Sequence, residues 1–247
     1  DGPIGPSRQA DTGTVAHDAL RRFAERWRAA EADGEPAPTE SDLLAIGRES
    51  YWAHAGEASV APRDTLDQLE ALLRTYWREL HDPDAQILEV EHAVKVAYER
   101  DGLRHTLDMR LDRLDRIEGG VRLVDYKTGR PKADYTSPKP SDLQMGLYAM
   151  AIEQAFPDAA GRAEYWLLAS GERGSIELSA IDLVKVRAAI DETIDGVLAG
   201  RFARGKRCRG ECVALLGGRG LRADEARGEA LLAAGGAQPG ASPIGTP

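Results

Sequence analysis

Cysteine is nearly missing from this chain: Cys208 and Cys212 are the only two in 247 residues. Two thiols four apart cannot make a disulfide framework, so a reducing, cytoplasmic setting is expected. Long apolar runs are missing as well. None approaches the roughly 20 residues that cross a bilayer, which excludes a membrane-spanning helix and a membrane partner. The opening DGPIGPSRQADTGT has no basic stretch followed by an apolar one, so no secretory leader is expected in it. Its first residue is Asp and not Met, in keeping with a segment of something longer. Positive charge is in deficit, with 32 Lys+Arg against 41 Asp+Glu and a net charge of −9. Bulk charge therefore does not draw the protein to nucleic acid, and any such contact has to be local.

What is present describes an ordinary folded protein. Hydrophobic residues make up 42% and charged residues 30%, a balance that builds a core without staples. Three stretches read as linkers or tails: Asp33 to Ser41, Ser137 to Ser141, and the Gly/Ala/Pro-rich end from Gly217 onward, which is expected to be disordered.

Between these stretches the hydrophobic period changes type. Ala16, Leu20, Phe23 and Trp27 recur at three- and four-residue spacing and predict a helix from Thr14 to about Ala30. A second helix is expected over Asp42 to Tyr51, and Leu66, Leu69, Leu73, Tyr76, Trp77 and Leu80 predict a third. Gln86 to Tyr98 switches to period two, with Leu88, Val90, Val94 and Val96 on one face and Glu89, Glu91 and Lys95 on the other. His105 to Asp115 and Val121 to Lys127 are two further strands, joined through Glu118-Gly119-Gly120. A helix over Asp142 to Ala155, a short strand over Tyr165 to Ala169 and a last helix carrying Leu183 to Val197 complete the order. This is a mixed α/β core with a helical front end.

Asp125 and Lys127 are two apart on a strand and point to one face. They read either as a surface ion pair of little weight or as a metal-binding carboxylate beside an ammonium that orients water. Asp112, on the preceding strand, can meet Asp125 across the hairpin. Two hard oxygen ligands on adjacent strands suit Mg²⁺, which takes one or two protein carboxylates plus waters and phosphate oxygens. Asp112 also sits in an alternating run of Arg and Asp that would equally suit a solvated strand.

These residues carry a resemblance. Leu111-Asp112-Arg113-Leu114-Asp115, then Leu123-Val124-Asp125-Tyr126-Lys127-Thr128-Gly129, then Gln144-Met145-Gly146-Leu147-Tyr148, is similar to the RecB/AddB-type nuclease domain of the PD-(D/E)XK superfamily. Gly13-Thr14-Val15-Ala16-His17 and Glu91 extend the likeness upstream. The resemblance implies a restriction-endonuclease-like fold, a mixed central sheet flanked by helices with a helical N-terminal part. Its nuclease domain would span residues 13–215, between an extension (1–12) and a tail (216–247). It implies catalysis by Asp112, Asp125 and Lys127, with Lys127 holding the attacking water. Metal would be held by His17, Asp112, Asp125 and the backbone carbonyl of Tyr126. Glu91 is a further candidate ligand, with Glu89 on the same face as its rival. Gln144 and Tyr148, four apart on one helical face, would support the site or touch phosphate. The cofactor would be Mg²⁺ or Mn²⁺, the partner DNA as single strands or ends, and the setting double-strand-break repair or recombination beside a helicase domain or subunit.

The sequence departs from that pattern twice. Met109 stands where relatives usually carry glycine, and only two cysteines remain where many relatives bind an iron–sulfur cluster with four, so no cluster is expected. The dense basic run Arg201 to Arg209, with Arg204, Lys206 and Arg207, reads either as a solvated segment or as a contact to the phosphate backbone. The resemblance implies a metal-dependent DNA nuclease of exonuclease type, with a catalytically silent DNA-binding or scaffolding module as the alternative.

Overall fold

A computed structural model describes residues 12–55, 63–156 and 160–201. The chain divides into two compact units, Asp1–Thr193 and Ile194–Pro247, and the second is described only over its first residues. Arg204, Lys206, Arg207, both cysteines and the expected boundary at residue 215 lie outside the described residues.

Three helices come first: α1 (Thr12–Asp33), α2 (Glu40–Ala55) and α3 (Arg63–Thr75), the last widening into a π-helical turn at Tyr76–Leu80. The predicted spacing appears in α1 as a buried stripe of Val15, Ala16, Ala19, Leu20 and Phe23. A reciprocal cap aids the start of α2. The Thr39 hydroxyl and amide both donate to Asp42, whose own amide donates back to Thr39 Oγ1.

The strands are β1 (Gln86–Arg100), β2 (Leu103–Ile117), β3 (Gly120–Lys127), β4 (Gly161–Leu167) and β5 (Glu172–Glu177), in the order β1-β2-β3-β4-β5. All neighbours are antiparallel except β3 and β4. The crossover between those two carries the short α4 (Ala133–Thr136) and α5 (Leu143–Ala155), and α6 (Leu183–Leu198) follows the sheet. The mixed sheet flanked by helices, with helices in front, is the architecture expected of a restriction-endonuclease-like fold. β5 was not foreseen.

β1 and β2 form a long hairpin closed by Asp101 and Gly102. Both have positive φ (50° and 74°), the conformation that a two-residue turn between right-twisted strands requires. One irregularity interrupts this ladder, between Ile87 and Glu89. It reverses the facing of Leu88 relative to the rest of the strand, so the expected single face of Leu88, Val90, Val94 and Val96 is broken.

The sheet has two different faces. Val124, Tyr126, Trp166 and Leu168 pack under α1–α3, against Phe23, Leu43, Leu69, Leu73 and Tyr76. The same face buries Arg113, Asp115 and Arg122 completely; Asp115 lies 2.6 Å from Arg113 Nε and 2.8 Å from Arg122 Nη2. The other face carries Asp125 and Lys127.

Candidate metal and catalytic site

α1 delivers His17 to the edge of the sheet. Asp18 and Arg21 follow His17 by one and four residues and share with it the helix face opposite the buried stripe, where the three line a cleft of about 590 Å³ with Glu91, Arg110 and Asp112. Within it, His17, Glu91 and Asp112 each offer a ligand atom within 4.8 Å of the others. His17 Nδ1 lies 3.4 Å from Asp112 Oδ1 and 3.8 Å from Glu91 Oε1. The donor set, one imidazole and two carboxylates, fits a divalent cation such as Mg²⁺ or Mn²⁺.

The backbone explains which glutamate is present. Glu91 falls between the paired residues Val90↔Arg113 and His92↔Leu111, opposite Asp112. Its φ of 46° is a left-handed conformation that side-chain-bearing residues adopt at a cost of about 1–2 kcal/mol. Glu89 instead points to His92, 3.5 Å away, and takes no part in the cluster.

Asp112 and Asp125 follow directly on the terminal rung of the β2–β3 ladder, Arg113↔Val124. Asp112 Oδ2 accepts the amide of Tyr126 at 2.7 Å, while the Tyr126 carbonyl faces His17 Nε2 at 3.1 Å. The carbonyl expected to meet a metal thus meets the imidazole here. Burial alone would lower the His17 pKa, but hydrogen bonds to Asp112 and Glu91 and the charges of Asp112 and Asp125 outweigh it and raise it to about 10. The imidazolium then donates on both sides, and a proton and a metal ion compete for the same cluster.

Asp125 stands outside the triad and is held from the other side. Its Oδ1 accepts from Gln144 Nε2 and from Tyr148 Oη, the latter at 2.8 Å, and Lys127 Nζ lies 2.6 Å from its Oδ2. Burial, then the nearby Asp112 charge, pushes the Asp125 carboxyl up, more than Lys127 and Tyr148 draw it down. Asp142 caps α5 by accepting the Met145 amide, which places Gln144 in the first turn and Tyr148 one turn on, both facing Asp125.

Sequence reasoning missed the surroundings of Lys127. Its ammonium also bonds Gln144 Oε1 at 2.9 Å and lies 4.9 Å from the ring centre of Tyr165 and 5.2 Å from that of Tyr135. Tyr135 reaches this spot because α4 presses its backbone onto β5 at Gly174, where a Cβ would collide with the Tyr135 carbonyl oxygen. The signal was the pairing of Asp125 with Tyr165 across the parallel strands, invisible until β4 is placed.

The model of the PD-(D/E)XK nuclease superfamily matches residues 3–213. No curated protein matches the chain. Among solved structures, the crystal structure of SSO0001 is 17% identical, with 74% of this chain and 73% of that one covered at a TM-score of 0.33.

Proposed function

Since the chain belongs to the PD-(D/E)XK nuclease superfamily, whose members hydrolyse phosphodiester bonds with divalent metal ions, we propose that it is a Mg²⁺- or Mn²⁺-dependent deoxyribonuclease of exonuclease type, acting on single strands or ends. The observation that supports this most is the abutment of two clusters. The His17–Glu91–Asp112 triad and the Asp125–Lys127–Gln144 group are joined through Tyr126, whose amide bonds Asp112 and whose carbonyl meets His17.

A divalent cation held by His17, Glu91, Asp112 and Asp125 would polarise the scissile phosphate and make a bound water more acidic. The chain's own residues do the rest. Lys127, fixed between Asp125, Gln144 and two tyrosine rings, holds the attacking water and offsets charge that grows on the phosphate oxygens. Gln144 and Tyr148 lock the Asp125 carboxylate by donating to one oxygen, which leaves the other to Lys127. Glu91, from β1, brings a further carboxylate to the cation side beside Asp112. The resemblance to RecB/AddB-type nuclease domains favours a setting in double-strand-break repair or recombination beside a helicase.

The test is direct. Labelled single-stranded and duplex DNA should be cut with Mg²⁺ or Mn²⁺ and spared with EDTA, and fragment ladders should report progress from ends. Intact DNA under every metal condition would leave the silent binding module as the reading.

A further inference from the structure

We propose that the cleft between β2 and α5 is a nucleobase subsite, which receives an unpaired base next to the scissile phosphate. The inference rests on the nuclease reading above and narrows its substrate to strands whose bases are free. The cleft, of about 370 Å³, is lined by Met109, Arg110, Leu143, Gln144, Leu147 and Tyr148. Three of these are aliphatic or thioether side chains and one is a phenol ring, a surface suited to the flat apolar face of a base. Leu143, the first residue of α5, is 43% exposed and adds its apolar side chain to this lining. Met109, the departure from the glycine pattern, thereby gains a role, since its flexible thioether adapts to a ring of either size.

Two observations fix what occupies this cleft. The first is continuity with the site: Gln144 and Tyr148 form its wall and donate to Asp125, and Tyr148 Oη also lies 3.4 Å from the Arg110 carbonyl. An occupant therefore touches the same side chains that hold the carboxylate. The second is charge placement. Arg110 lines both this cleft and the polar one that contains His17, Glu91 and Asp112. Its guanidinium is 67% exposed and only loosely engaged, 3.4 Å from Glu91 Oε2. An apolar slot, a cation at its rim and a carboxylate cluster beyond match the base, phosphate and metal of one nucleotide in sequence. A paired and stacked base has no free face to offer and would first have to leave the duplex, at a cost of a few kcal/mol. Single strands and frayed ends avoid that cost.

The test uses the whole chain and two readouts. Fluorescence anisotropy measures binding of a labelled single strand, intact or with one abasic nucleotide moved stepwise along it, and single-turnover cleavage with Mn²⁺ is followed on the same strands. Leu143→Ala and Met109→Ala alter the slot at partly exposed positions and leave the metal cluster untouched. We expect each variant to weaken binding of the intact strand by roughly 5- to 10-fold. At one register the abasic strand should bind wild type with the same loss, and at that register the variants should show no further defect. Duplex of the same sequence should be bound and cut at least tenfold less well. Equal binding of intact and abasic strands by all three proteins, while Mn²⁺-dependent cleavage persists, would overturn the subsite and leave the nuclease reading standing. The expected binding pattern without any cleavage would do the reverse.

Discussion

Asp115→Ala removes the carboxylate that two buried guanidiniums share. Arg122 would keep Asp82, 2.9 Å from its Nη1, at the half-exposed end of the network. Arg113 would keep only the Tyr76 hydroxyl, which its Nη1 reaches at 3.0 Å, and the face of Trp166, 5.5 Å from the guanidinium carbon to the ring centre. Its Nη2 already has no hydrogen-bond partner among the described residues. A fully buried cation left without its anion costs about 3–5 kcal/mol. For a domain of this size that lowers Tm by roughly 6–20 °C. Urea melts and calorimetry of Asp115→Ala measure the loss, and Asp82→Ala, which strips only the outer contact, should lose less than about 1 kcal/mol. Pairing Arg113→Met with Asp115→Leu should recover most of the stability, because two apolar side chains fill the space without a charge to strand. A loss below about 1 kcal/mol in Asp115→Ala would refute the reasoning, for it would mean that water or a neighbouring acid compensates Arg113 at once.

Further outcomes are expected at the site and beside it. Lys127→Ala should keep affinity for Mn²⁺ and for DNA while turnover falls on the order of 10²-fold, and Lys127→Arg should not restore it, because a planar guanidinium does not fit between Gln144 and the two rings; single-turnover rates check both. Asp112→Ala should weaken Mn²⁺ binding at least tenfold by calorimetry while far-ultraviolet circular dichroism stays unchanged, and unaltered binding would remove Asp112 from the metal site. Glu91→Gly should lose metal affinity without losing stability, since glycine relieves the left-handed backbone; a drop above about 1 kcal/mol in a urea melt would contradict the strain. His81, packed among Phe23, Trp27, Tyr76 and Trp77, is lowered to about 4 by burial and by the Arg113 charge, so the unfolded chain binds the proton first and stability falls as pH drops from about 6.5 to 4. The full difference corresponds to about 3 kcal/mol, which solvent screening of this partly exposed ring reduces to about 1–2 kcal/mol; the acid-side slope in urea melts should shrink in His81→Phe.

The longer helices and β1 to β4 were legible from local patterns such as the α1 stripe and the period-two stretch of β1, whereas the four-residue α4 was not foreseen. β5 was not, because only Gly174 and Ile176 of its six residues are buried, and a short edge strand with three charges, Glu172, Arg173 and Glu177, shows no pattern of its own. The choice between Glu89 and Glu91 was equally hidden. It depends on the irregularity after Ile87 and on the left-handed φ at Glu91, neither of which residue type announces. The Arg–Asp run of β2 suggested a solvated strand, yet Arg113 and Asp115 are fully buried. Their partner Arg122 lies across the hairpin turn, so the neutralising pair is visible only once the register is known. Gln144 and Tyr148 were readable as one helical face, but the rings of Tyr135 and Tyr165 around Lys127 required the parallel pairing of β3 with β4.

The β1–β2 hairpin works as a ruler with both ends fixed. At its base, Glu91 must stay opposite Asp112; near its tip, the Tyr98 hydroxyl donates to Asp191 of α6 at 2.7 Å and Arg100 reaches the same carboxylate at 2.8 Å. A single residue inserted in either strand between these points would slide Glu91 past Asp112 and turn every following side chain to the opposite face. A matched pair, one residue in each strand, would preserve the triad but carry Tyr98 and Arg100 about 3.3 Å beyond Asp191. Evolution can therefore rewrite the outward-facing residues of this arm freely, whereas its length can drift only at the Asp101-Gly102 tip, and length variation among descendants of this sequence should concentrate there.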